Sequence, residues 1–253
     1  GHKKRHRHRG AGQHQRWHAF CVHRSIVQTA MKHLKHIWNL LPWRAAVLCA
    51  CAAVSVNVLA QANAPMSFFV TSVGLGDGGN LGGLAGADAH CQALATAAGA
   101  GDKTWRAYLS TSGEQAMHAR DRIGTGPWHN AQGVQVAQDV TQLHEGNQIN
   151  ASTALTEKGQ SVHSSTHDML TGSDEQGRAF AASEGDRSCQ NWTSNSRGSA
   201  MVGHHNLRRN MGGGVSSWNS AHTTSSCARQ TFWRTSGDGL FYCFALPQQA
   251  AGR

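Results

Sequence analysis

Residues 66–246 read as one α+β domain of small antiparallel sheets, one or two helices and a long polar region stapled by disulfides. Three observations predict this class. Short runs of β-branched and aromatic residues recur between glycine-rich turns, the pattern of short strands rather than long helices. A single Ala-rich stretch, Ala85–Ala98, has strong helix propensity and is closed by Gly99 and Gly101. The segment from Cys189 to Cys227 is dominated by Gly, Ser, Asn and His, so it has too few aliphatic side chains to build its own core. Something else must hold it in place.

Taken in order, Met66–Val73 is a first strand, ended by glycine. The turn that follows contains Gly74-x-Gly76-x-x-Gly79, which formally matches a dinucleotide-binding fingerprint. No run of alternating strands and helices follows it, so it reads as a glycine-rich link between strand and helix. On the helix, Leu84, Cys91 and Leu94 fall at roughly helical spacing, which turns Cys91 toward the core. Thr104–Ser110 alternates large and small residues like a half-buried strand, residues 114–123 suit a short helix, and Val134 and Val136 fit another strand. From Asp139 to Asp168 the chain is polar and reads as a long surface excursion. Gly239–Ala245 is an apolar closing strand, followed by a short tail, 247–253.

The net charge of +9 suggests an acidic partner until its location is considered. Residues 1–60 hold ten of the 23 Lys and Arg and no acid, which leaves thirteen basic against fourteen acidic residues beyond, a net of −1. The body of the protein is nearly neutral, and nucleic acid is not an expected partner. Residues 31–60 explain the asymmetry, because a basic start at Met31 precedes the apolar run Ala45–Ala60, the pattern of a secretory signal peptide cleaved after Ala60. That run falls short of the roughly 20 residues that span a bilayer, so no stable membrane anchor is expected. Leu48-Cys49-Ala50-Cys51 loosely resembles a bacterial lipoprotein box, but the apolar run before Cys51 is too short for that reading to lead. Residues 1–30 are basic and His-rich, and read as an upstream extension before a true start at Met31. The expected location is secreted or periplasmic. Removing the leader leaves Cys91, Cys189, Cys227 and Cys243, enough for two disulfides in three possible connectivities. Zinc is a weaker account of them, since no pair has C-x-x-C spacing.

An ordered set of pieces spans most of residues 66–246: Asn80–Gln92, Trp105–Ser110, Gly172–Arg178, Cys189–Trp192, Ser225–Cys227 and Leu240–Cys243. Together they resemble the C-type lectin-like fold, and within it the endostatin domain of collagens and its bacterial lectin-like relatives. The resemblance implies nested disulfides, Cys91–Cys243 outside and Cys189–Cys227 inside. Closing about 150 and about 40 residues, they contribute roughly 5 and 4 kcal/mol on the chain-entropy model. Calcium-dependent sugar binders of this fold use Glu-Pro-Asn or Gln-Pro-Asp with Trp-Asn-Asp, oxygen donors that suit Ca²⁺. Here neither tripeptide occurs, and Trp218-Asn219-Ser220 carries Ser where the second carboxylate belongs. No cofactor and no metal are therefore expected. Endostatin's zinc site uses N-terminal histidines that have no matched positions here.

The functional expectation is an exported, non-catalytic lectin-like domain that binds a glycan or a glycosylated or matrix partner. Its candidate contacts are Asn191, Trp192, His204, His205, Asn206, Trp218, Asn219 and His222, because amides and imidazoles beside aromatic faces suit a ligand whose every hydroxyl needs a partner. His204 and His205 would point to opposite sides of an extended segment, so both are not expected on one ion. A hydrolase using His204 or His205 with Asp168, Asp174 or Asp186 and a serine is the enzyme alternative, and no G-x-S-x-G motif supports it. A protein-interaction module without sugar binding is the other.

Overall fold

The computed structural model describes residues 64–207 and 216–247. Segment 1–30, the expected signal segment 31–60 and the tail beyond Pro247 lie outside the described residues. The strand that orders the rest is β8, Gly237–Ala245, nine residues of almost uninterrupted apolar sequence. A strand this apolar must be buried on both faces, and its side chains divide by parity. Phe241, Cys243 and Ala245 enter one core with Phe69, Trp105, Ala107, Ala87 and Ala95. Leu240, Tyr242 and Phe244 enter a second with Phe68, Val70, Tyr108, Trp128 and Trp218.

Strand β1, Phe68–Val70, pairs antiparallel with β8 through Phe69↔Cys243. Strand β2, Trp105–Ala107, pairs with the same stretch through Ala107↔Cys243, and so occupies the opposite edge. Strands β3, Trp128–His129, and β4, Gln135–Ala137, form a separate two-stranded sheet. Strand β5, Asp168–Leu170, runs parallel to β8. Strands β6, Met201–His204, and β7, His222–Thr223, extend the sheet outward as antiparallel neighbours. The sheet is therefore mixed, where only antiparallel pairing is expected from sequence. The reason is connectivity: residues 171–236 lie between β5 and β8, long enough for the crossover that a parallel pair requires. The polar region 189–227 also contains two strands, so it is not loop throughout.

The Ala-rich stretch forms helix α1, Gly83–Ala97, close to its expected bounds. Small side chains let it lie near the sheet, where Cys91 bonds Cys243 with Cα atoms 5.7 Å apart. Cys189 bonds Cys227, Cα atoms 5.6 Å apart. Both pairs are those implied by the resemblance, and disulfides of this kind persist in oxidising compartments. Among the described residues no helix is long and apolar enough to cross a membrane. Three short α-helices follow among the described residues: α2, Ala119–Arg122, α3, Val140–Glu145, and α4, Arg229–Phe232. The polar excursion 139–168 is tied down: Asp139 caps α3 by accepting from Gln142 N at 2.8 Å, Val70 N donates to Leu155 O at 2.8 Å, and Ile149, Ala154 and Leu155 are buried.

A buried ion cluster fastens α1 to β2. The Asp88 carboxylate accepts from the Arg122 guanidinium at 2.7 and 2.9 Å, from Arg106 at 2.8 Å and from Ala107 N at 2.9 Å. The Arg122 side chain is 7% exposed, so loss of Asp88 would strand its charge in the interior. Asp88→Ala is expected to destabilise the fold by about 3–5 kcal/mol, against under 1 kcal/mol for a surface pair. Urea unfolding checks this, and a loss below 1 kcal/mol would show that the cluster is solvated.

Candidate functional site

The outer half of the sheet gathers histidines around one carboxylate. Asp168 opens β5 directly opposite His204 on β6, while His222 on β7 faces Val202. Residues 202 and 204 share a face of β6, so the register puts Asp168, His204 and His222 on the same side. The His204 Nε2 atom lies 3.2 Å from Asp168 Oδ1, His167 Nε2 lies 3.4 Å from the same oxygen, and His222 Nε2 lies 3.5 Å from Oδ2. The imidazoles meet edge to face, with centroids 4.7 Å apart for His167–His204 and 5.1 Å for His204–His222. Side-chain exposure grades from nil at His204 and 2% at Asp168 to 12% at His167 and 22% at His222. The site is thus sealed at its floor and open at one side.

Burial pushes the Asp168 carboxyl up, but His204, His222 and the Thr235 hydroxyl together outweigh it and hold the group at about 2. The proximity of Asp168 raises His222 above its ordinary value, partly opposed by burial. His205 is pushed down to about 4 by burial and by the neighbouring charges of His167 and His204. The Thr166 backbone opposes this shift in part.

The sequence candidates separate into distinct roles. His204 and His222 join the carboxylate, and His205, the next residue, is also buried. Trp218 is sealed in the second core at 5% exposure, packed on Tyr108, Tyr242 and His144. It can sit there because Gly203 lacks a side chain, and a Cβ at that position would collide with the Trp218 backbone. Asn219 is 1% exposed and fully used: its Nδ2 donates to Tyr108 Oη at 2.9 Å and to the carbonyls of Asp174 and Glu175, and its Oδ1 accepts from Ser217. That amide is not offered to a cation. Asn206 is half-buried.

Asn191 and Trp192 belong to an unusual element. Cys189, Gln190, Asn191 and Trp192 have φ of 48°, 54°, 57° and 66°, a single left-handed turn made without glycine. Each such residue costs about 1–2 kcal/mol. The turn persists because its surroundings fix it: the Cys189–Cys227 bond, Gln190 N donating to Asp186 Oδ2 at 2.9 Å, and the buried Trp192 indole N–H donating to Ser110 O at 2.8 Å. Asn191 is exposed, but its Oδ1 accepts from Ser112 N at 2.7 Å. Of the carboxylates in the hydrolase alternative, Asp174 and Asp186 accept bonds within their own turns, and Asp168 alone meets His204.

His167 escaped the sequence reading, and Asp168 entered it only as a catalytic option. A His-Asp pair at the start of a three-residue strand carries no recognisable spacing; only the pairing of β5 with β6 reveals it. No family model matches the chain, and no curated protein is significantly similar to it.

Beside Trp218, a hydrogen-bond relay depends on a neutral imidazole. His144 Nδ1 faces the Val140 carbonyl at 2.7 Å and must carry the proton, which leaves Nε2 to accept from Tyr108 Oη at 2.8 Å. Burial, the largest effect, lowers the pKa of His144. The stability contributed by a depressed histidine is fully present above its unfolded value near 6.5 and is lost as pH falls below it. Urea unfolding at pH 7, 6 and 5 is expected to show a steeper decline for the wild type than for His144→Gln. Parallel slopes would mean that His144 protonates freely in the folded state.

Proposed function

We propose that the chain is an exported, non-catalytic binding domain of the lectin-like type, which takes a glycan or a glycosylated partner. The observation that carries the reading is Trp233. Among the described residues it is the one exposed large aromatic side chain, at 56%. Its ring is flanked by the Arg229 guanidinium, 5.0 Å from the ring centroid, and its indole N–H donates to Asp238 Oδ1 at 3.0 Å. An aromatic face beside a carboxylate and a guanidinium suits a sugar, whose C–H face packs on the ring while its hydroxyls find donors and acceptors. Tryptophan suits a binding surface because its ring is apolar while its N–H finds a polar partner.

Trp233 stands on a short turn, Trp233–Thr235, just after the Cys189–Cys227 region and immediately before β8. Of the residues expected to contact ligand, Asn191 is exposed and Asn206 and His222 are half-buried, whereas both tryptophans of the set lie in the interior. The binding surface therefore centres on the base of β8 rather than on Trp192 and Trp218. The nested bridges support the lectin-like reading, being the pair that such a domain carries. Burial of His204 weighs against the hydrolase alternative, because a fully enclosed imidazole meets no substrate.

A glycan array probed with the wild-type chain and with Trp233→Ala, each with and without Ca²⁺, tests the proposal. Binding is expected without Ca²⁺ and at least 10-fold weaker in the variant, the loss of about 1.4 kcal/mol or more that one stacked aromatic supplies. Silence of the wild type on the array, together with capture of a matrix protein, would replace this reading with that of a protein-interaction module.

A further inference from the structure

The donors around Asp168 converge on a point. We propose that His167 Nε2, His204 Nε2 and Asp168 Oδ1 form a binding site for a divalent late transition metal of the Zn²⁺ type, with His222 holding the carboxylate in orientation. This inference is independent of the glycan-binding reading.

The donor atoms of His167, Asp168 and His204 all lie within 4.8 Å of one another. Asp168 Oδ1 is 3.2 and 3.4 Å from the two imidazole nitrogens. Ligands placed about 2.0–2.2 Å from a tetrahedral zinc are separated by roughly 3.3–3.5 Å, so this spacing needs little adjustment. Asp168 is 2% exposed, and the ring nitrogens of His167, His204 and His222 face its two oxygens at 3.2–3.5 Å. A buried carboxylate is costly unless positive charge faces it. Three imidazoles gathered at contact distance around one buried carboxylate are what a shared central ion would organise.

The donor set narrows the ion. Imidazole nitrogen with one carboxylate suits zinc and its first-row neighbours. Calcium and magnesium, which take oxygen donors, do not fit two or three nitrogens. Thiolate chemistry plays no part, since all four described cysteines are in disulfides. His222 Nε2 contacts the other carboxylate oxygen at 3.5 Å, the position from which an outer residue fixes a ligating carboxylate. Partial exposure of His167 and His222 provides the entry path. Because Asp168 lies on β5 and His204 on β6, with His167 just before β5, a bound ion would tie these two strands together, and His222 adds β7 through the carboxylate. This departs from the sequence reading, in which no metal is expected: residues 167, 204 and 222 meet only through strand register.

Calorimetric titration of the metal-free full chain with Zn²⁺ tests the site. The histidines upstream of residue 64 offer competing ligands, so variants decide the result. His167→Gln, partly exposed and close in volume, is expected to weaken the tightest Zn²⁺ class at least 100-fold and to abolish the rise in Tm that Zn²⁺ gives the wild type. His222→Gln should weaken it about 10-fold, as an orienting residue does. His163→Gln, an exposed histidine bonded to Ser165, should leave it unchanged. Near-UV circular dichroism matching the wild type secures the fold of each variant. The proposal is overturned if the wild type binds no Zn²⁺, or if folded His167→Gln titrates and melts with Zn²⁺ as the wild type does, which would assign the metal to the upstream histidines.

Discussion

The parity of β8 is the constraint on which the rest of the structure depends. Six consecutive buried residues, Leu240–Ala245, send alternate side chains into two separate cores. Each core then needs its own cover. On one face this is α1, fastened by Cys91–Cys243 and by the Asp88–Arg122 cluster; on the other it is the aromatic group of Tyr108, Trp128 and Trp218. A slip of one residue in β8 would exchange Cys243 for Tyr242 and would break the bridge and both cores together.

The histidine site stands at the opposite extreme. It is built on the outer half of the sheet, on strands of only two to four residues. What positions it is borrowed. Asp168 is placed because β5 runs parallel to β8, and His204 because β6 pairs with β5. The start of β6 is in turn held by the left-handed turn beside it, where Cys189 N donates to Ser199 O at 2.9 Å and Met201 N to Arg187 O at 2.8 Å. Four strained residues in that turn would relax without the Cys189–Cys227 bond and the Trp192 anchor.

Legibility in the sequence followed the physics of each part. Helix α1 and strand β8 were readable because propensity and burial act along the chain: alanines favour helix wherever they are placed, and an apolar run demands burial. The cysteine pairs came from a resemblance, since spacing alone left three connectivities open. The parallel pairing of β5 was not readable, because Asp168–Leu170 is too short to show a period. The candidate contacts failed to separate for a related reason. Trp192, Trp218 and Trp233 look alike in sequence, and what buries the first two is a left-handed turn, a glycine in β6 and a neighbouring tyrosine. His167 and Asp168 met the other histidines only through register, which no local pattern records.

The outer strands β6 and β7 have no stability of their own and depend on the inner bridge, while β8 and α1 do not. Native-state amide hydrogen exchange on the wild type and on Cys189→Ala/Cys227→Ala tests it directly, residue by residue. Protection is expected to fall at β6 and β7, with Met201–His204 and His222–Thr223 exchanging at least 100-fold faster, while Phe241–Ala245 and the middle of α1 keep theirs relative to global unfolding. Uniform loss throughout the domain, or unchanged protection at β6, would contradict it.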